Sequence, residues 1–147
     1  MKLLPPPGPA DLSASRAASI FLGVCAVFTI GPGAIHSFLP DGGAEVIAGL
    51  DLGDRRDLVI SVFAWQGSTQ IAFGLAMAAV ALRYRALTPL FLLLLAVERT
   101  LMTLHAWVLK PGGQHHPPEH YASPATAVLA LIFLAIALRA RPARHTP

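Results

Sequence analysis

Charge is scarce in this chain of 147 residues: Lys and Arg number 11, Asp and Glu 8, together 13%. A soluble domain carries about 25% charged residues, and mean hydropathy here is +0.60 with 54% hydrophobic residues. That surplus is too large to hide in one small core, so the bilayer is the natural solvent for it. Cysteine is scarcer still. Cys25, alone in an apolar run, excludes an intramolecular disulfide and paired-thiol redox chemistry, and reads as a buried inert thiol. Missing too are a glycine-rich phosphate loop, a Ser–His–Asp arrangement and an H-E-x-x-H pair, so nucleotide chemistry and these standard hydrolytic centres have no support. The pI of about 9.6 does not imply nucleic acid, because the basic residues are scattered through the flanks rather than gathered on one face.

Cutting the chain at its charges leaves four long apolar stretches: residues 17–40, 58–82, 86–109 and 121–138. Each reaches the length of roughly 20 residues that crosses a hydrocarbon core. Short connections make neighbouring helices antiparallel. The expected fold is therefore an all-α integral membrane protein, an up-down bundle of four transmembrane helices spanning residues 16–140. A disordered proline-rich tail (1–15) precedes it and a basic tail (141–147) follows. Seven flanking bases (Lys2, Arg16, Arg83, Arg85, Arg139, Arg141, Arg144) stand against three (Arg55, Arg56, Lys110). By the positive-inside rule both termini are cytoplasmic. The first run is too long for a cleaved signal peptide and reads as a retained helix.

Glu98 and Arg99 interrupt the third stretch near its middle. Buried charge in lipid is costly, by at least about 2.5 kcal/mol for a carboxylate, so Glu98 should face the interior with a partner. Gln66, Gln70, Gly74 and Ala78 recur every fourth residue on the second helix, and a Gln70–Glu98 hydrogen bond is the preferred contact. Gln66, Gln70, Glu98 and Arg99 thus form either a structural network or the wall of a ligand pocket. In the first helix, GPGAIH (31–36) predicts a kink at Pro32 that faces the bundle.

Five of the six histidines fall on the outer side. His36 and His105 end their helices, and His115, His116 and His120 crowd the loop QHHPPEH with Glu119. Neutral imidazoles with a carboxylate are the donor set of divalent transition metals. His36, His105, His115, His116, Glu119 and His120 are the candidate ligands, with Asp41, Glu45, Asp51 and Asp54 as further carboxylates. Pro117 and Pro118 predict an extended segment rather than a helix. The alternative is a polar loop that caps the bundle. Trp65, Trp107 and Tyr121 read as interfacial aromatics.

A glycine-bearing first helix runs to a proline and GLDL (49–52). A helix carrying GSTQIAFGL (67–75) follows, then a short arginine turn and a polar-centred helix. This pattern resembles the small four-helix DoxX-like bacterial membrane proteins. The resemblance implies a compact inner-membrane protein, an accessory of a redox or lipid-related system, and it carries over no catalytic residue.

Three functions follow from these residues. One is an accessory or ligand-binding membrane protein, its partners the bilayer and a small amphipathic ligand or a larger membrane complex. Another is a metal-dependent enzyme at the outer face with Glu119 as base. The third is a proton or solute conductor using Glu98 and Gln70, which requires a homo-oligomer.

Overall fold

The computed structural model describes Pro6, Gly8 and residues 15–110 and 116–139. The rest of the expected head, the expected tail at 141–147 and His115 lie outside the described residues. Four long helices and no strand are found among them: α1 (Arg16–Phe38), α2 (Arg56–Leu82), α3 (Thr88–Leu104) and α4 (Pro118–Arg139). A 3-10 turn leads into α2 and another into α3, and α3 ends in a π turn over His105–Leu109. With those turns included, all four are long and apolar enough to cross a membrane. Their outward faces carry apolar side chains all round, with Val27 67%, Trp65 81% and Leu138 69% exposed. A water-facing monomer seldom shows contiguous apolar patches beyond a few hundred Å², so such a surface calls for lipid or partner helices.

The ends follow from local chemistry. Ser15 caps α1, its Oγ accepting from the Ala18 amide at 3.3 Å. The expected extended run at Pro117–Pro118 is corrected at its second proline. Pro118 opens α4, because the first helical position needs no backbone donor and proline presets its φ there. Glu119 and His120 therefore sit on a helical first turn. α1 continues through Pro32 as one helix.

The helices pair as two hairpins. In α1/α2, Gly23 lies against Ala81, Gly33 against Gln70, and Gly67 against Ser37, so the two run antiparallel. The buried stripe of α2 is Gly67, Gln70, Gly74, Met77 and Ala81, with Val80 buried beside it. It alternates steps of three and four. The expected four-residue stripe beginning at Gln66 is thereby corrected: each step of four rotates about 40° past a full turn, and Gln66 is carried to the exposed outward face. A 3-4 alternation keeps glycine, the smallest residue, on the contact line, where backbones approach closely. In the second hairpin α3 meets α4, the Trp107 ring 5.6 Å from that of Tyr121.

Among the described residues the hairpins join at the end that carries Ser19 and Thr88. There Ser19 Oγ and Thr88 Oγ1 are 3.2 Å apart, and Phe21 stacks on Phe133 at 4.2 Å. The core, including Leu22, Met77, Leu92, Leu95 and Ala130, belongs to that end. Towards the other end the hairpins part around a cavity.

Candidate ligand cavity

The cavity holds about 910 Å³, within the range of roughly 300–1,000 Å³ typical of small-molecule sites. Phe21, Val24 and Leu95 line its apolar part on α1 and α3, and Leu129 its rim on α4; His36, His105, Lys110, Glu119 and His120 lie around the other end; Ile47, Ala48 and Leu50 contribute from the loop after α1. Phe28 and Leu129 line it yet are 72% and 44% exposed. The opening therefore lies sideways, between α1 and α4.

Arg99 is the buried charge of the wall, its side chain 9% exposed. It shares the α3 surface that lines the cavity with Leu95, Met102 and Ala106, neighbours at helical spacing. Its Nε stands 3.6 Å from Glu98 Oε2 and its Nη1 3.9 Å from Glu119 Oε1. These are ion pairs beyond hydrogen-bond distance, and both Arg99 Nε and Glu98 Oε2 are buried without a hydrogen-bond partner. Glu98 flanks Arg99 without lining the cavity.

The expected bond from Gln70 to Glu98 does not form. Gln70 is 3% exposed and faces Gly33 in the α1/α2 seam, with its Oε1 unpartnered. Of the four residues read as the polar centre, only Arg99 lines the cavity. From the histidine set it gathers His36, His105, Glu119 and His120. Two groups that the sequence separates are thus one site.

Ser123 was not singled out. It lines the cavity, is 1% exposed, and its Oγ has no hydrogen-bond partner. The signal exists in the sequence once α4 is started at Pro118: Glu119, Ser123 and Thr126 then fall at i, i+4 and i+7, one polar stripe on an otherwise apolar helix.

Three of the histidines read as metal candidates are engaged locally. His36 Nδ1 donates to the Gly42 carbonyl at 2.6 Å. His116 and His120 bring their Nδ1 atoms to 3.1 Å, one ring donating to the other, and His116 stacks on Trp107 at 4.4 Å. Among the described residues no three of His, Cys, Asp and Glu come together to hold a metal ion. The acidic loop is likewise committed. Asp41 accepts from the amides of Val46, Gly43 and Glu45 at 2.9, 3.0 and 3.2 Å, and these bonds hold its carboxyl below the usual range. Glu45 pairs with Arg56 at 3.0 Å, and Asp51 accepts from the Gly53 amide at 3.2 Å.

Trp107 fixes the mouth for a reason visible in the chain. Pro124 has no amide hydrogen, so the carbonyl of His120, four residues earlier, loses its helical donor. Trp107 Nε1 supplies one instead, at 3.0 Å. Trp107→Phe is expected to destabilise the parent by about 1 kcal/mol, the net worth of one hydrogen bond. In a Pro124→Ala background, where a helical amide is restored, the loss should be less than half of that. Equal losses in the two backgrounds, read as detergent melting curves, would refute the substitution of one donor for the other.

No family model, curated protein or solved structure matches the chain.

Proposed function

We propose that this chain is a multi-pass inner-membrane protein of DoxX-like type, both termini cytoplasmic, which binds a small amphipathic ligand and performs no chemistry on it. The observation that carries this is the laterally open cavity of about 910 Å³, apolar in its depth and bearing a buried arginine and a buried serine with unpartnered polar atoms. An apolar pocket with a few convergent polar groups is the common form of a ligand site. An opening between two helices facing lipid admits a molecule already dissolved there, without passage through water. The ring of polar residues at one end and the apolar depth at the other match a molecule with a head and a tail. The imidazoles of His36, His116 and His120 are hydrogen-bonded to neighbouring groups, which favours a binder over a hydrolytic centre.

Native mass spectrometry of protein released gently from detergent tests this. The parent should carry one bound amphiphile. Leu129→Trp places bulk at the rim, where a partly exposed side chain has room to turn, and should melt within a few degrees of the parent. Its bound mass should fall at least about tenfold, the factor that about 1.4 kcal/mol of lost contact gives. A parent that retains no more amphiphile than the plugged variant would remove the binding function.

A further inference from the structure

We infer that the head of the ligand is uncharged, with an oxygen acceptor received by Arg99 and Ser123, and that the cavity selects against carboxylate-headed amphiphiles of the same chain length. This rests on the binding function proposed above and narrows it to a ligand class.

The donors come first. A guanidinium has five N–H groups in a fixed fork. Arg99 makes no hydrogen bond through Nε, and its ion-pair contacts stand at 3.6 and 3.9 Å. Its donors are thus held by field rather than by bonds. Ser123 follows Glu119 by one helical turn on the same face of α4, and Glu119 is the α4 residue that Arg99 reaches. Arg99 on α3 and Ser123 on α4 therefore line one cavity from facing helices, and each holds a buried polar atom without a hydrogen-bond partner. Buried polar groups cost free energy until they are hydrogen-bonded, and an acceptor oxygen satisfies both.

Charge then decides what bears that oxygen. Glu98 lies 3.6 Å from the Arg99 guanidinium within the wall and already compensates its charge. A carboxylate head would therefore bring an uncompensated negative charge where the dielectric is low. A neutral carbonyl accepts from the guanidinium and from the hydroxyl without adding charge. Lys110 is exposed and Glu119 is partly so, so water and salt screen both and neither reverses the balance. The tail is then accommodated by Phe21, Val24, Leu95 and Leu129.

The test titrates the delipidated full chain with methyl dodecanoate and with dodecanoate at pH 8, where the acid is ionised. Retention of each is read by native mass spectrometry. The ester should be retained at least about tenfold more than the carboxylate. Ser123→Ala removes one hydroxyl from a helix surface and should melt with the parent. It should lower ester retention by about two- to tenfold, the range of one hydrogen bond. Equal or stronger retention of the carboxylate would overturn the neutral-head assignment and leave the cavity as a ligand site. Ester retention unmoved by Ser123→Ala would overturn the role of that serine. Retention of neither probe would remove this inference and the binding function together.

Discussion

Gly67→Val is expected to abolish the α1/α2 hairpin, and Gly67→Ala to weaken it by about 1–3 kcal/mol, the ordinary cost of overpacking a close contact. A Cβ at this position would stand 2.6 Å from the Gly33 carbonyl oxygen, 2.6 Å from Ser37 Oγ and 2.8 Å from His36 Cβ. Ser37 can rotate away, but the Gly33 oxygen is backbone and can retreat only if α1 moves. Gly74 is gentler. Its Cβ would stand 2.5 Å from Ile30 Cγ1, but the nearest backbone atoms, the Ala26 oxygen and the Ile30 nitrogen, are 3.2 Å away, so Gly74→Ala should cost less. Gly31 is the control within the same GPG motif. Nothing lies within 4 Å of a Cβ there, and Gly31→Ala should leave stability equal or raise it by up to about 1 kcal/mol, because alanine loses less freedom in a helix. Melting curves of the four variants in one detergent check the order. Gly67→Ala melting with Gly31→Ala would show that the two helices do not pack through Gly67.

The same displacement has a consequence for the cavity. His36 lies at the Gly67 contact and also lines the cavity, so a wider α1/α2 spacing moves that wall. Loss of ligand with loss of stability in Gly67→Ala, against retention of both in Gly31→Ala, would tie the seam to the site.

Helix number and approximate span were legible because hydropathy and charge spacing act locally. The cut at Arg83 and Arg85 and the break after Leu109 are written in single residues. What one helix presents to another was less so. Gln66 and Gln70 look equivalent in a four-residue repeat, yet one is exposed and the other buried, since the contact line follows the 3-4 alternation that passes through Gly67. The apolar run sets the start of α4 three residues late, at Tyr121 instead of Pro118, because a Pro-Pro pair reads as a break although its second proline suits a first helical position. That error hid the stripe containing Ser123 and kept Glu119 apart from Arg99. Their meeting depends on α3 and α4 lying antiparallel, with Trp107 level with His120 and Tyr121 and the long Arg99 side chain reaching along the seam to Glu119, a tertiary fact that no local pattern carries.

Arg99→Met should destabilise the protein by about 3 kcal/mol, near the low end of what breaking a buried ion pair costs. The loss comes mainly from Glu98, whose Oε2 is buried with no hydrogen bond to replace the lost cation. Glu119, with its side chain 37% exposed, reaches water and adds little. Replacing all three charges, as Arg99→Met with Glu98→Gln and Glu119→Gln, removes the uncompensated carboxylates and should restore most of the stability, as neutral replacements of buried ion pairs often do. The triple variant separates the two roles of the guanidinium. If Arg99 serves only to neutralise its neighbours, the triple variant binds the amphiphile like the parent. If it also donates to the ligand, the triple variant is stable yet retains less of the neutral ester than the parent does, because no guanidinium remains to donate to the acceptor. We expect the second result. A single Arg99→Met variant as stable as the parent would show instead that Glu98 is held by other groups, and the pairing at 3.6 Å would then contribute nothing to the fold.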